Sequence, residues 1–187
     1  MRFFFIIVVF SLITSNAFSQ SKKEIKKNGI NSSTSTVTKF KDGKWSTIKD
    51  SFEKFDRSGN TIERFTYNKM GDVKRRETFT YNKNNDVIEE ISYGTDGKIR
   101  RKVKIKYNAQ NDKIEETTYD ANDKLIRKRN YKFNAFGEKT EELTSNGNNN
   151  ITKKITYTYD KKGMRTARKT FDKDGKLVNT KKYIYEY

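Results

Sequence analysis

From about residue 55 onward, apolar and polar residues alternate in short runs, and each run ends in a polar cluster that carries Gly, Asn or Asp. A period of two marks strands with one apolar and one polar face. In the run Ile99 to Tyr107, the residues Ile99, Arg101, Val103, Ile105 and Tyr107 share one face, and Lys98, Arg100, Lys102, Lys104 and Lys106 share the other. The same pattern groups Val73, Phe79 and Tyr81; Leu125, Tyr131 and Phe133; Ile151, Ile155, Tyr157 and Tyr159; and Leu177, Tyr183 and Tyr185. An aromatic followed four residues later by Gly, Asn or Asp recurs from Phe55/Gly59 to Phe171/Gly175, with Ser145/Asn149 filling one gap. The steps between these positions alternate 12 and 14, so the unit is 26 residues made of two unequal halves. Each junction, such as Tyr81 to Asp86, sets Asn or Asp where a type I turn takes its first residue and Gly or Asn where a left-handed residue closes a hairpin. Ten such junctions predict eleven strands, and a weaker hairpin signal at Asp42-Gly43 predicts a twelfth.

A 26-residue unit suits either a parallel solenoid or an antiparallel meander. Stacked coils would set Glu90 on Glu116 and Glu142, and Lys102 on Lys128 and Lys154. Counting outward from each turn of a meander sets Glu90 opposite Lys102, Glu116 opposite Lys128 and Glu142 opposite Lys154. Cross-strand opposite charges stabilise by about 0.2 to 1 kcal/mol and like charges cost a similar amount, so the signs favour the meander. The same count pairs Tyr67 with Val73, Tyr93 with Ile99, Tyr119 with Leu125 and Phe171 with Leu177. It also sets Arg64 against Arg76, which the scheme does not explain. The expected fold is all-β: an antiparallel β-meander of 11 to 12 strands, strongly twisted or curled into an open, barrel-like sheet with its rings inside.

The junctions resemble the YD repeats of bacterial Rhs-type proteins, whose signature is a Tyr-x-Tyr-Asp turn followed by Gly, a basic residue and Leu or Ile. Tyr157 to Gly163 fits its first seven positions, Phe171 to Leu177 its second half, and Tyr119-Asp120 to Lys124-Leu125 fits with Asp for Gly. The likeness covers about residues 55–187. MORN-like repeats share tyrosine-turn-glycine hairpins, but their Gly-rich strand pattern is missing. The resemblance implies the hairpin architecture. In the Rhs family such repeats form a shell around a toxin and are linked with carbohydrate binding; the chain has no Asp-Pro processing motif.

The amino terminus changes the picture of where the sheet works. One Arg, an apolar run from Phe3 to Ile13 and the Ala17-Phe18-Ser19 site read as a signal peptide over residues 1–19, cleaved near Ser19/Gln20. The run is far short of the roughly 20 residues of a membrane span. The chain is expected to be exported, not membrane-spanning, with no intracellular nucleic acid as partner. Residues 20–36, polar and basic, read as a flexible leader, and residues 37–187 as a single β-repeat domain.

Composition then narrows the chemistry. The 187 residues hold 41 Lys and Arg against 24 Asp and Glu, a net charge of +17, with 32% hydrophobic residues and no Cys, His or Pro. Without Cys and His there is no disulfide, thiolate or Ser-His nucleophile, and no metal or cofactor is expected. The pairs Glu89/Glu90, Glu115/Glu116 and Glu141/Glu142 do not form acid-base couples, because adjacent strand residues point to opposite faces. No enzyme is expected. The basic row Lys98, Arg100, Lys102, Lys104 and Lys106, flanked by Arg76, Lys128, Lys132 and Lys154, is the candidate anion-binding surface; its alternative is a solvated face. The rows Tyr81, Tyr107, Phe133 and Tyr159, with Tyr131 and Tyr157 beside them, read as core rather than as a sugar-stacking groove. The expected function is a secreted, non-enzymatic binding or surface module that engages an anionic glycan or envelope component. The alternative is a structural protein that self-associates through the edge strand at the carboxy terminus.

Overall fold

The computed structural model describes residues 22–41 and 43–186. The segment expected to be a signal peptide lies outside the described residues. The elements are a short helix, α1 (Lys22–Lys27), and twelve strands: β1 (Ser32–Lys41), β2 (Lys44–Phe55), β3 (Thr61–Tyr67), β4 (Val73–Tyr81), β5 (Val87–Tyr93), β6 (Ile99–Tyr107), β7 (Lys113–Tyr119), β8 (Leu125–Phe133), β9 (Lys139–Asn146), β10 (Ile151–Tyr159), β11 (Arg165–Phe171) and β12 (Leu177–Lys182). All twelve form one antiparallel meander in sequence order, and the sheet does not close into a barrel.

The ten predicted turns share one geometry. The first turn residue accepts a bond from the N–H three positions on, as in Gly71 to Asn68 and Asn85 to Asn82, and its own N–H bonds the carbonyl of the residue four on. The residue that closes each turn has positive φ; four of these are Asn85, Asn111, Asp123 and Asn149, and the others are glycines. Where the first residue is Asn or Asp, its side-chain oxygen caps the turn from within: Asn68 Oδ1 accepts the amides of Met70 and Asp72, and Asp160 Oδ1 those of Lys162 and Met164.

After each of these ten turns the returning strand carries one extra residue at its second position. Tyr93 pairs with Ile99 but Ser92 pairs with Arg101, leaving Arg100 as a bulge. Lys74, Ile88, Ile114 and Ile126 are skipped in the same way. A type I turn followed by a left-handed residue produces this bulge, which also increases local twist.

The bulge corrects the expected charge ladder. The pairs nearest each turn hold: Tyr67 with Val73, Tyr93 with Ile99, Tyr119 with Leu125 and Phe171 with Leu177. Beyond them every partner moves by one, so Glu90 lies opposite Val103, Glu116 opposite Arg129 and Glu142 opposite Ile155. The shift also removes the Arg64–Arg76 conflict, because Arg64 faces Glu77 and Arg76 faces Phe65.

Register puts Phe55, Glu77, Ser92, Val103, Thr118, Tyr131, Thr144, Ile155 and Tyr157 on one face, and all are buried. Among the described residues no second layer covers them. Burial comes from large and charged side chains laid over their neighbours on this inner face. At its rim, the hydroxyls of Tyr81, Tyr107, Tyr159 and Tyr185 donate to the carbonyls of Thr61, Val87, Lys139 and Arg165, each 20 residues earlier, at 2.7 to 2.9 Å. Phe133 holds the same place without a hydroxyl. Phe133→Tyr is expected to give the Lys113 carbonyl this bond and raise unfolding stability by about 1 kcal/mol in urea titrations; unchanged or lower stability would count against the bond.

The expected flexible leader over 20–36 is corrected. Its KKEIKK stretch consists mostly of good helix formers, and Ile25 is buried beside Phe55 and Gly59. A Cβ at Gly59, where φ is +78°, would lie 2.6 Å from the Lys22 carbonyl oxygen, so helix and turn fit only because residue 59 is glycine. The Ser- and Thr-rich segment then enters β1, where Ser35 bonds Ser51 at 2.7 Å and Thr38 bonds Thr47 at 2.8 Å. The sheet therefore starts at Ser32, not at residue 37.

Candidate anion-binding face

The outer face carries the predicted basic residues, because register sets Arg76, Lys102, Lys104, Lys106, Lys128, Lys132 and Lys154 on the side opposite the buried set. Lys98 lies at the end of a turn and Arg100 at a bulge, so the row is continuous only from Lys102. Most of these cations already hold a carboxylate. Glu115 sits between Lys106 and Lys128 at 2.8 and 2.7 Å, and Glu141 between Lys132 and Lys154 at 2.8 and 3.0 Å. These hydrogen bonds hold the Glu115 and Glu141 carboxyls below their ordinary range, and the bond to Glu115 raises Lys106. Arg100 bonds Asp96 at 3.0 Å, Lys102 bonds Asp123 at 2.7 Å and Arg76 bonds Glu63 at 2.6 Å. Lys104 lies opposite Glu89 in register and over the Tyr119 ring at 5.8 Å. The structure thus spends most of the proposed row within the sheet.

The aromatic residues Tyr81, Tyr107, Tyr131, Phe133, Tyr157 and Tyr159 lie on the inner face, and the rings of Tyr131 and Tyr157 are occupied. Lys113 and Lys139 both stand 5.1 Å from the Tyr131 centroid, and Lys139 and Arg165 stand 4.9 and 4.7 Å from that of Tyr157. A sugar could stack on these rings only by displacing a cation that the sheet already uses. Burial raises the Tyr81 and Tyr107 hydroxyls.

Charge alternates along the inner face as well. Arg64 joins Glu53 at 2.7 Å and Glu77 at 3.9 Å; Arg101 joins Glu90 at 3.0 Å. Glu116 meets Lys113 at 3.0 Å, Arg129 at 2.9 Å and Arg127 at 4.0 Å. Burial pushes the Glu116 carboxyl up, but these three cations outweigh it and hold it below its ordinary 4.5. The bulge turns Glu89, Glu115 and Glu141 outward and brings Glu90, Glu116 and Glu142 inward. Next to this ladder, Thr118 Oγ1, Arg127 Nε, Arg129 Nε and Thr144 Oγ1 are buried without a protein hydrogen-bond partner.

The charge left over lies elsewhere. Residues 51–149 hold 21 basic and 17 acidic residues, a surplus of four. Residues 151–182 hold 11 basic and 3 acidic residues, a surplus of eight, and those three acids, Asp160, Asp172 and Asp174, all sit in turns. Seven cross-strand positions pair opposite charges directly, among them Lys54 with Glu63, Glu89 with Lys104 and Lys132 with Glu141. Only two pair like charges among the described strands: Arg168 with Lys181, and Lys41 with Lys44. Lys169 and Lys182 stand exposed beside the first of these. The sequence carries this signal as a count of charges per strand rather than as a single dense row. Between the turns at 134–137 and 160–163, a cleft of about 880 Å³ opens on the same end, lined by Phe136, Tyr159 and Lys161.

No curated protein matches the chain. Among solved structures, a porin-like protein from Bacteroides uniformis is 14% identical over 79% of this chain and 75% of its own, with a TM-score of 0.49. A protein of unknown function from Bacteroides fragilis is 14% identical over 58% of this chain and 91% of its own, at 0.47. The Tc holotoxin pore of Photorhabdus luminescens is 13% identical over 79% of this chain but only 9% of its own, at 0.35. The model of a family described as "Uncharacterised protein" matches residues 13–186, and the chain belongs to that family.

Proposed function

We propose that the protein is an exported, non-enzymatic β-sheet module of the YD-repeat kind, which holds an anionic envelope or extracellular glycan on the basic end of its sheet. The observation that carries this reading is the segregation of charge. The central repeats neutralise themselves rung by rung, whereas β10–β12 accept a like-charge pair, Arg168 opposite Lys181, that costs stability unless an anion lies over it. Export rests on the amino-terminal signal, and the kinship to YD repeats on the hairpins at Tyr157–Gly163 and Phe171–Leu177. The test is binding of the mature chain to an acidic glycan across a salt series. We expect binding at low salt that weakens as salt rises. The variant R168Q/K169Q/K181Q/K182Q should lose at least about tenfold in affinity, more than a K98Q/K104Q variant does. Equal losses, or no binding at low salt, would overturn the proposal.

A second reading is supported by β12, an edge strand exposed along its whole length, with Leu177 and Val178 uncovered. Such an edge recruits strands of other chains. Light scattering that shows a monomer at high concentration would exclude it.

A further inference from the structure

The β1–β2 hairpin does not stop where the sheet does. β2 begins to pair with β3 only at Ser51, so Lys44 to Asp50 have β1 as their sole strand partner and the hairpin extends past the body as a two-stranded arm. At the end of this arm Phe40 lies opposite Trp45, their ring centroids 5.1 Å apart. Both rings are left in water, Phe40 at 60% and Trp45 at 72% exposure. Trp45 is the only tryptophan of the chain. Nothing in the body needs this pair, and no other described aromatic pair is so exposed.

Neighbouring positions fix the setting of the rings. Thr38 and Thr47, hydrogen-bonded to each other, share their face toward the body. Lys39 and Lys44 belong to the rungs on either side of Phe40–Trp45, on the opposite face, and are exposed, and Lys44 lies opposite Lys41 in register. The arm tip therefore has two large rings on one side and Lys39 and Lys44 on the other, and residues 39–45 carry three lysines against one aspartate, Asp42. Lys49, nearer the body, turns inward over the Tyr67 ring at 4.3 Å and is not part of this arrangement.

We infer that the arm tip is an anchor for an anionic lipid surface, with Phe40 and Trp45 entering the headgroup boundary while Lys39 and Lys44 stay among the phosphates. Three features favour lipid over a protein or sugar occupant. The rings protrude, so a protein partner would need a matching recess, whereas a bilayer interface deforms around them. Tryptophan and phenylalanine backed by lysine suit a boundary that is apolar on one side and wet and anionic on the other. The tip keeps a net positive charge, three lysines against Asp42, which complements the dense negative charge of a phospholipid surface. This anchor is separate from the basic end at β10–β12 and rests on different residues.

The lone tryptophan reports on the outcome directly. The mature chain is mixed with vesicles of phosphatidylglycerol and phosphatidylcholine, and with vesicles of phosphatidylcholine alone, while Trp45 emission and cosedimentation are followed. We expect a blue shift with the anionic vesicles, quenching of Trp45 by lipid-borne bromine, and much weaker effects with the neutral ones. Phe40→Ser should lower partition at least about tenfold with Trp45 still present as the probe. K39Q/K44Q should reduce the preference for anionic lipid while leaving the fold intact by circular dichroism. Cosedimentation with unshifted Trp45 would mean that the basic end alone adheres, and overturns the inference. So would a shift that depends on protein concentration without lipid, which marks self-association, or one produced by a soluble anionic glycan. The glycan test above can fail while this one succeeds, and the reverse, because neither variant set touches the other's residues.

Discussion

Ile155→Ala is expected to lower unfolding stability by about 3 kcal/mol, the largest loss from any single side-chain truncation in the sheet. Among the described residues Ile155 is the one fully buried side chain, at 2% exposure, in the middle of β10 between Glu142 on β9 and Thr170 on β11. With no second layer behind it, its methyl groups are covered by neighbours on the same face, among them rings held in place by their cations. A cavity there cannot be filled by an opposing element moving inward, because the described residues provide none. Urea titration measures the loss, and Ile155→Val should cost only about 1 kcal/mol. A loss below about 1 kcal/mol for the alanine variant would show that the inner face is not the core.

Removing the charge at Glu116 should be the next most damaging change. Its side chain is 13% exposed and faces three cations. Glu116→Gln leaves Lys113, Arg127 and Arg129 without their counter-charge, at an expected cost of about 2 kcal/mol, reduced from the fully buried case because all three cations are partly in water. Asp96→Asn, which breaks the exposed pair with Arg100, should stay within about 0.5 kcal/mol. The carboxyls of Glu115, Glu116 and Glu141 titrate below their unfolded value of 4.5. A depressed folded value means that stability is fully present above pH 4.5 and is lost as the pH falls through the lower folded values. Acid titration followed by circular dichroism should therefore show the sheet weakening below pH 4.5, with a shallower slope for Glu116→Gln. Identical slopes would remove Glu116 from the groups that link stability to pH.

Much of this architecture could be read from the chain before any coordinates. The turns, the strand order and the face of each long strand follow from Tyr-Asx-turn spacing and from alternation, both local in sequence. The ladder did not follow, and the reason is one residue. Counting from the turn without a bulge puts Glu90 against Lys102, and the count looks convincing because basic residues crowd the long strands: the true register gives Glu116 Arg129 in place of Lys128, and Glu90 an ion pair with Arg101. Arg64 against Arg76 was the visible misfit, and a shift of one residue resolves it into Arg64 with Glu77. The early strand β1 was masked by its serines and threonines, which read as a linker until their hydroxyls are paired across to β2. Helix α1 is too short for its own propensity to announce it, and it exists because Ile25 finds a seat beside Gly59. As for the candidate site, residue identity alone marked the cations but not which of them the sheet consumes, since that depends on the register.

Because each strand of the meander pairs only with the strands next to it in sequence, nothing in the fold counts the units. Removing residues 94–119, one full period, would join Tyr93 to the turn at Asp120 and let β5 pair with β8 in the register it now has with β6. Length is then a parameter that recombination can change without redesign, and the closing loops cost little entropy because every contact is close along the chain. Such a sheet grows from any hairpin that forms first and frays from its ends, so its two extremities, the aromatic arm and the basic edge, belong to the parts that open most easily.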